Sequence, residues 1–315
     1  MSKPLQRVET LWFDKGADIV LQAEDRIFRV PRSILTARSP VFRNLLEIPA
    51  EGDEIMDGVP VIQLSESAEE IEAFLKAIYD SSYFMPPPAT IGFHEVFAIL
   101  RLSHKYDVDY LFRRAIEHLE TRYPQNLKET DMVERSTVQL PSTGPPEVVS
   151  HEFALKILHE VEALWLLPYA YYLVAAQTTL DYLMATSNKE WCPPSRRDII
   201  VQARMCQVAA TDRMLDTLTH RSNCATPDKC DLKKFAYLKQ NLNHGRRFYF
   251  AAAPMRLADR QKVIKQLCPT CATAFESTYH VVQQQIWSQL PRNCGLPSWD
   301  VLGAMRHKRL YGESC

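Results

Sequence analysis

The chain has 315 residues, 46% of them hydrophobic, a composition that supports a sizeable core and excludes a disordered tail. Lys and Arg number 37 against 38 Asp and Glu, for a formal net charge of -1, and this balance argues against a protein built chiefly to hold nucleic acid. The opening residues MSKPLQRVETLWFD have no apolar run of the secretory kind. The most apolar stretch, residues 163–176, carries Pro168 and is too short to span a bilayer. The expected protein is soluble and intracellular, cytoplasmic or nuclear, with no membrane partner.

In chain order, the β-prone runs Asp18–Gln22 and Arg26–Val30 flank a short polar turn, which predicts a hairpin. Pro31 stops the second strand, Ser33 is placed to cap a short helix carrying Ile34 and Leu35, and Ser39-Pro40 opens another through Val41–Leu46. A polar loop over residues 50–58 leads to a third strand at Val59–Leu64. Ser67 and Glu70 then stand at capping-box spacing, ahead of a helix with Ile71, Phe74, Leu75 and Ile78 on one face. After Pro86-Pro87-Pro88 come two amphipathic helices, residues 93–106 (Val96, Phe97, Leu100, Ser103, His104) and residues 108–123 (Leu111, Phe112, Ala115, Ile116, Leu119).

This order of hairpin, two short helices, strand, helix and helix pair resembles the BTB/POZ family. The segment DIVLQAEDRIFRVPRSILTARSPVFRNLL is similar to the family's D-V-x-L…F-x-V-H-R…S-x-x-F-x-x-x-L signature, with Ser39-Pro40-Val41-Phe42 at its centre. Phe74–Tyr79 resembles the F-L-x-x-I-Y helix, and Leu100–Tyr106 the L-x-x-A-x-K-Y helix, with Ser103 in place of alanine. The expected fold class is an α+β BTB/POZ domain over residues 10–125, a connecting segment over 126–150, and an all-α region over 151–315. The family's His before the basic residue is Pro31 here. The resemblance implies that Asp18 and Arg32 form an opposite-charge pair near a dimer interface; the alternative is that both merely anchor the hairpin. The short stretch before Trp12 puts a strand-swapped dimer in doubt.

Beyond the connection, helical spacing runs through residues 151–166 (Phe153, Ala154, Ile157, Leu158, Val161, Leu164), 169–184 (Tyr172, Leu173, Ala176, Leu180) and 195–218 (Ile199, Ile200, Ala203, Met205, Leu215). All eight cysteines lie in this half of the chain. Cys224, Cys230, Cys268 and Cys271 form two spaced pairs of soft ligands, the chemistry a structural zinc ion needs, although the Cys224–Cys230 spacing is wide for such a site. Free, packed thiols and a redox Cys-x-x-Cys are the other readings. His220, His244 and His280 are candidate substitute ligands.

The end of the chain, from Gln285 through Trp299-Asp300, is similar to basidiomycete fungal BTB proteins, as are Leu166–Ala170 and Leu267–Cys271. Trp287, Leu290, Leu296 and Trp299 read as a strap docked on the helices, and Arg306–Arg309 as a solvated basic end. No phosphate-binding Gly-rich loop, Gly-x-Ser-x-Gly elbow or His-Glu-x-x-His helix occurs. Cys192 has no evident base, and His151-Glu152 and His159-Glu160 sit among core residues. The expectation is a non-enzymatic interaction protein with no small-molecule substrate. The resemblance implies protein partners: a second copy of the domain, or a cullin-type ubiquitin ligase scaffold facing residues 67–80 and 86–106. A transcriptional regulator and a purely structural oligomerisation protein are the alternatives.

Overall fold

Aliphatic residues run almost without interruption along β2 (Ile19–Ala23), which is buried along nearly its whole length, as a central strand must be. It pairs antiparallel with β3 (Arg26–Val30), Leu21 opposite Phe28, and parallel with β5 (Val59–Leu64), Leu21 opposite Ile62. Two strands not anticipated from the sequence extend the sheet. β1 (Gln6–Trp12) lies parallel to β3, and β4 (Ile55–Met56) antiparallel to β5, giving the order β1-β3-β2-β5-β4. Neither alternates cleanly, because β1 is an edge strand with most side chains exposed and β4 is only two residues long.

The computed structural model describes residues 4–47, 55–130, 136–141, 147–177, 194–219, 223–243 and 257–312. It divides into two compact units, Met1–Arg122 with Ser136–Ser142, and Tyr123–Arg135 with Thr143–Cys315.

In the first unit the hairpin turn places Glu24 at φ 50, a left-handed conformation that costs a non-glycine residue about 1 kcal/mol. That conformation has a use. The Glu24 carboxylate accepts the Ala68 N–H at 3.0 Å, at the start of helix α3 (Ala68–Tyr79), where helix N–H groups lack internal partners. Ser67 caps the same helix through Glu70 N, as its spacing predicts. Helix α1 (Arg32–Arg38) has Pro31, not Ser33, at its N-cap; Ser33 lies inside the first turn, where its carbonyl accepts the Thr36 hydroxyl. Helix α2 (Pro40–Glu47) starts where Ser39-Pro40 predicts, with the Ser39 Oγ accepting the Phe42 N–H at 3.0 Å.

Helices α4 (Phe93–Lys105) and α5 (Asp109–Arg122) complete the unit, burying Val96, Phe97, Leu100, Leu111, Phe112, Ala115, Ile116 and Leu119 as their periodicity predicts. At the start of α4, the Glu95 carboxylate accepts the Gly92 N–H at 3.0 Å, and a Cβ at Gly92 would lie 2.1 Å from that carboxylate. A side chain there would need the carboxylate to shift. A short parallel ladder joins β6 (Ile91–Gly92) to β7 (Val138–Gln139), so part of the expected connecting segment returns to this unit. His118, fully buried, fastens it. Its Nδ1 is 2.8 Å from the Thr137 hydroxyl, and its Nε2 lies 2.8 Å from the Met85 carbonyl, to which only a protonated nitrogen can donate.

In the second unit, α6 (Glu147–Glu160) begins one turn before the helix expected from residue 151. A 3-10 turn at Leu164–Leu166 leads into α7 (Leu167–Gln177), and α8 spans Pro194–Thr219. The remainder of the helix expected to reach residue 184 lies outside the described residues. Ala154, Ile157, Leu158, Val161, Tyr172, Ala176, Ile200 and Ala203 are buried, whereas Met205 is 63% exposed and does not belong to the core face assigned to it. Arg204 on α8 donates to the Ala175 and Ala176 carbonyls at 3.3 Å, satisfying the C-terminal end of α7.

Among the described residues that follow are helices α9 (Pro227–Asn243), α10 (Leu257–Ile264), α11 (Pro269–Asn293) and α12 (Trp299–Tyr311). The residues of the tryptophan strap lie in and between α11 and α12. Trp287 and Trp299 stack at 4.7 Å, and the Trp299 indole donates to the Trp287 carbonyl at 2.8 Å. Among the described residues, no helix is long and apolar enough to cross a membrane.

Two outcomes follow from the first unit's buried polar groups. Ser39→Ala removes both the α2 cap and a buried hydroxyl, and should lower stability in urea unfolding by about 2 kcal/mol. Burial holds the His118 imidazole below its usual pKa. The unfolded chain therefore takes up protons first: stability is full above about pH 6.5 and falls as pH drops below it toward the lowered folded value. Melting temperatures should descend from pH 7.5 to 5, and His118→Gln should flatten that slope while lowering the neutral-pH melting temperature.

Candidate functional site

Two features of the described residues are candidates for function, a set of exposed aliphatic side chains and a cluster of cysteines. The first is apolar surface on α1 and α2. Leu35, Phe42 and Leu46 turn inward, which leaves Val41 and Leu45, one helical turn apart, 38% and 44% exposed. Ile34 on α1 is 39% exposed. Of the adjacent Ile34 and Leu35, only Leu35 enters the core.

Asp18 and Arg32 meet beside this surface, but not as the expected side-chain pair. The Asp18 carboxylate accepts the backbone N–H of Arg32 at 2.6 Å, at the start of α1, and Asp18 is exposed rather than buried. A carboxylate at a helix N-terminus is favoured by the unsatisfied N–H groups and the helix dipole. The neighbouring Tyr79 hydroxyl donates to the Pro31 carbonyl at 2.9 Å, and its pKa is raised by burial and by the Asp18 charge.

The segments 67–80 and 86–106 supply α3 and α4, whose outer edges carry an ion-pair array. Glu72 joins Arg26 and Lys76 at 2.6 and 2.7 Å, and Arg101 pairs with Glu70.

The second feature is the cysteine cluster. The Sγ atoms of Cys224, Cys230, Cys268 and Cys271 all lie within 4.8 Å of one another, Cys224 and Cys268 being 3.7 Å apart. Four thiolates at about 2.3 Å from a tetrahedral metal stand about 3.8 Å apart, so the donor set and its spacing fit a single zinc ion. The wide Cys224–Cys230 spacing is accommodated because Cys224 precedes α9 while Cys230 sits in its first turn, with its N–H bonded to the Thr226 carbonyl at 3.0 Å. Cys268 is the N-cap of α11, Pro269 its first residue, and Cys271 lies in the first turn.

Two helix N-termini thus converge on the sulfurs, and their positive ends favour thiolates. The Cys268 N–H donates to the Cys230 sulfur at 3.2 Å. Backbone N–H groups of Cys271 and Ala225 bring the Cys268 thiol down to about 6, whereas burial pushes Cys271 up to about 12. Of the candidate histidines, His280 is not part of the cluster; His220 and His244 lie outside the described residues, as does Cys192. Cys206 is half-buried and accepts from the Asn293 amide at 3.2 Å, and Cys294 is buried.

Residues 9–123 match the family model of the BTB/POZ domain. The N-terminal unit is a BTB/POZ domain. Such domains are protein-interaction modules, and the three motifs that carried the resemblance all fall inside the matched span. Among curated proteins the chain has no match.

Proposed function

We propose that this chain is a self-associating protein-interaction module, in which the BTB/POZ domain pairs with a second copy through α1 and α2. The helical unit, clasped by one structural zinc ion on Cys224, Cys230, Cys268 and Cys271, presents or modulates the assembly. The observation that carries the reading is the exposed trio Ile34, Val41 and Leu45, three aliphatic side chains left in water on short helices whose buried residues are Leu35, Phe42 and Leu46. Asp18 and Arg32 flank that face and fix the entry into α1. The resemblance to basidiomycete fungal BTB proteins reaches into the helical unit but adds no role of its own. An adaptor for a cullin-type scaffold is the second version, favoured by the charged outer edges of α3 and α4, where Glu72, Lys76 and Arg101 stand.

Light scattering of the purified chain should give twice the monomer mass, and Leu45→Asp, which places a charge in the apolar face, should return it to monomer with its circular dichroism intact. A monomeric parent chain sinks the self-association reading. Co-elution with a cullin scaffold establishes the adaptor version, and its absence at micromolar concentrations removes it.

Elemental analysis should find about one zinc per chain. Cys271→Ser or a strong chelator should remove the metal and lower the thermal midpoint of the helical signal, because binding energy at a structural site is folding energy. Cys206→Ser, outside the cluster, should retain the metal.

A further inference from the structure

Four thiolates around one divalent zinc carry a net charge of -2, and a charge of that size next to buried sulfur is costly unless something offsets it. Helix α9 supplies a cation at the right place. Lys234 lies one helical turn beyond Cys230, on the same face, and is only 5% exposed. Lysine is almost never this deeply buried without a charged partner. Its neighbours in sequence, Leu232, Lys233 and Phe235, are all exposed, so the helix turns Lys234 toward the side that carries Cys230.

We propose that Lys234 is the charge-balancing cation of the metal centre: its buried ammonium offsets the tetrathiolate charge and sets how tightly zinc is held. The inference rests on the zinc reading given above. Lys234 is a positioning and electrostatic residue, not a ligand. The sulfurs alone bind the metal, and the ammonium makes a dianionic complex tolerable in a half-buried site. The helix N-termini at Thr226 and Cys268 contribute in the same sense but only as partial charges, so a full positive charge is the larger lever.

The test compares the parent chain with Lys234→Met, Lys234→Arg and the exposed neighbour Lys233→Met. Zinc affinity is measured by competition with a chromophoric chelator, and the ligand set is read from the charge-transfer and d–d bands of the Co2+-substituted chain. Lys234→Met should weaken zinc binding by about 10- to 100-fold, the range for residues that support metal ligands, while the Co2+ spectrum remains that of four sulfurs. Lys234→Arg, which keeps the charge, should stay within about threefold of the parent, and Lys233→Met should not differ from it.

Equal zinc affinity in Lys234→Met and the parent overturns the inference and leaves the metal centre standing. If Lys234→Met does not retain its helical circular dichroism, Lys234→Arg decides: near-parental affinity supports the role of charge, and a large loss overturns it. A parent chain that takes up neither Zn2+ nor Co2+ overturns the metal centre and this inference together.

Discussion

The fold of the N-terminal domain turns on one hydroxyl group. Ser39 is completely buried; its Oγ accepts the Phe42 N–H that begins α2 and donates to the Tyr106 carbonyl just past the end of α4. Phe42 stacks on the Tyr106 ring at 4.3 Å, and Tyr106 stacks in turn on Phe74 of α3 at 5.7 Å. Three stretches far apart in sequence therefore meet around a serine whose donor and acceptor are both used. A buried hydroxyl satisfied on both sides costs little, but each side fixes the position of a different helix.

The same junction gathers charge. The Tyr106 hydroxyl donates to Glu66 at 3.0 Å, and Lys105 pairs with the same oxygen. Burial raises the Glu66 carboxyl, but hydrogen bonds from Lys105, the Glu66 backbone and Tyr106 outweigh it, and the group lies below the usual carboxylate range. Glu66 thus remains ionised inside the domain and ties the loop before α3 to the end of α4. With α1 and α2 held in this way from beneath, their outer side chains stand on a rigid base, and rigidity of this kind reduces the entropic cost of docking.

The junction also explains which parts of the structure were legible in the sequence. Ser39-Pro40-Val41-Phe42, Phe74–Tyr79 and Leu100–Tyr106 could be read because each residue there meets a local demand, such as a cap, a first-turn proline or an apolar stripe, as well as the tertiary one. β1 left no such trace: it pairs along a sheet edge with its ladder interrupted between Arg7 and Trp12, and an edge strand has little need of alternation. The return of β7 to the domain was hidden because it depends on His118, a polar residue on a helix that reads as amphipathic without it. In the cysteine cluster, the pairs were visible but their convergence was not, since spacing along the chain cannot show that two helix N-termini face one another. Lys234 carries no signal of its own in the sequence. In sequence it is one of two adjacent lysines, and only burial separates it from Lys233.

Cys224 and Cys268 are 44 positions apart in sequence and 3.7 Å apart in space. A metal held by both sulfurs would make the chain between them a closed loop. The entropy of closing such a loop grows only with the logarithm of its length, so that doubling it costs about 0.6 kcal/mol. Insertions and deletions between α9 and α11 should be tolerated far better than changes to the residues at the knot. With a metal on the four sulfurs, the two ends of that loop would be fixed while added length between them cost little.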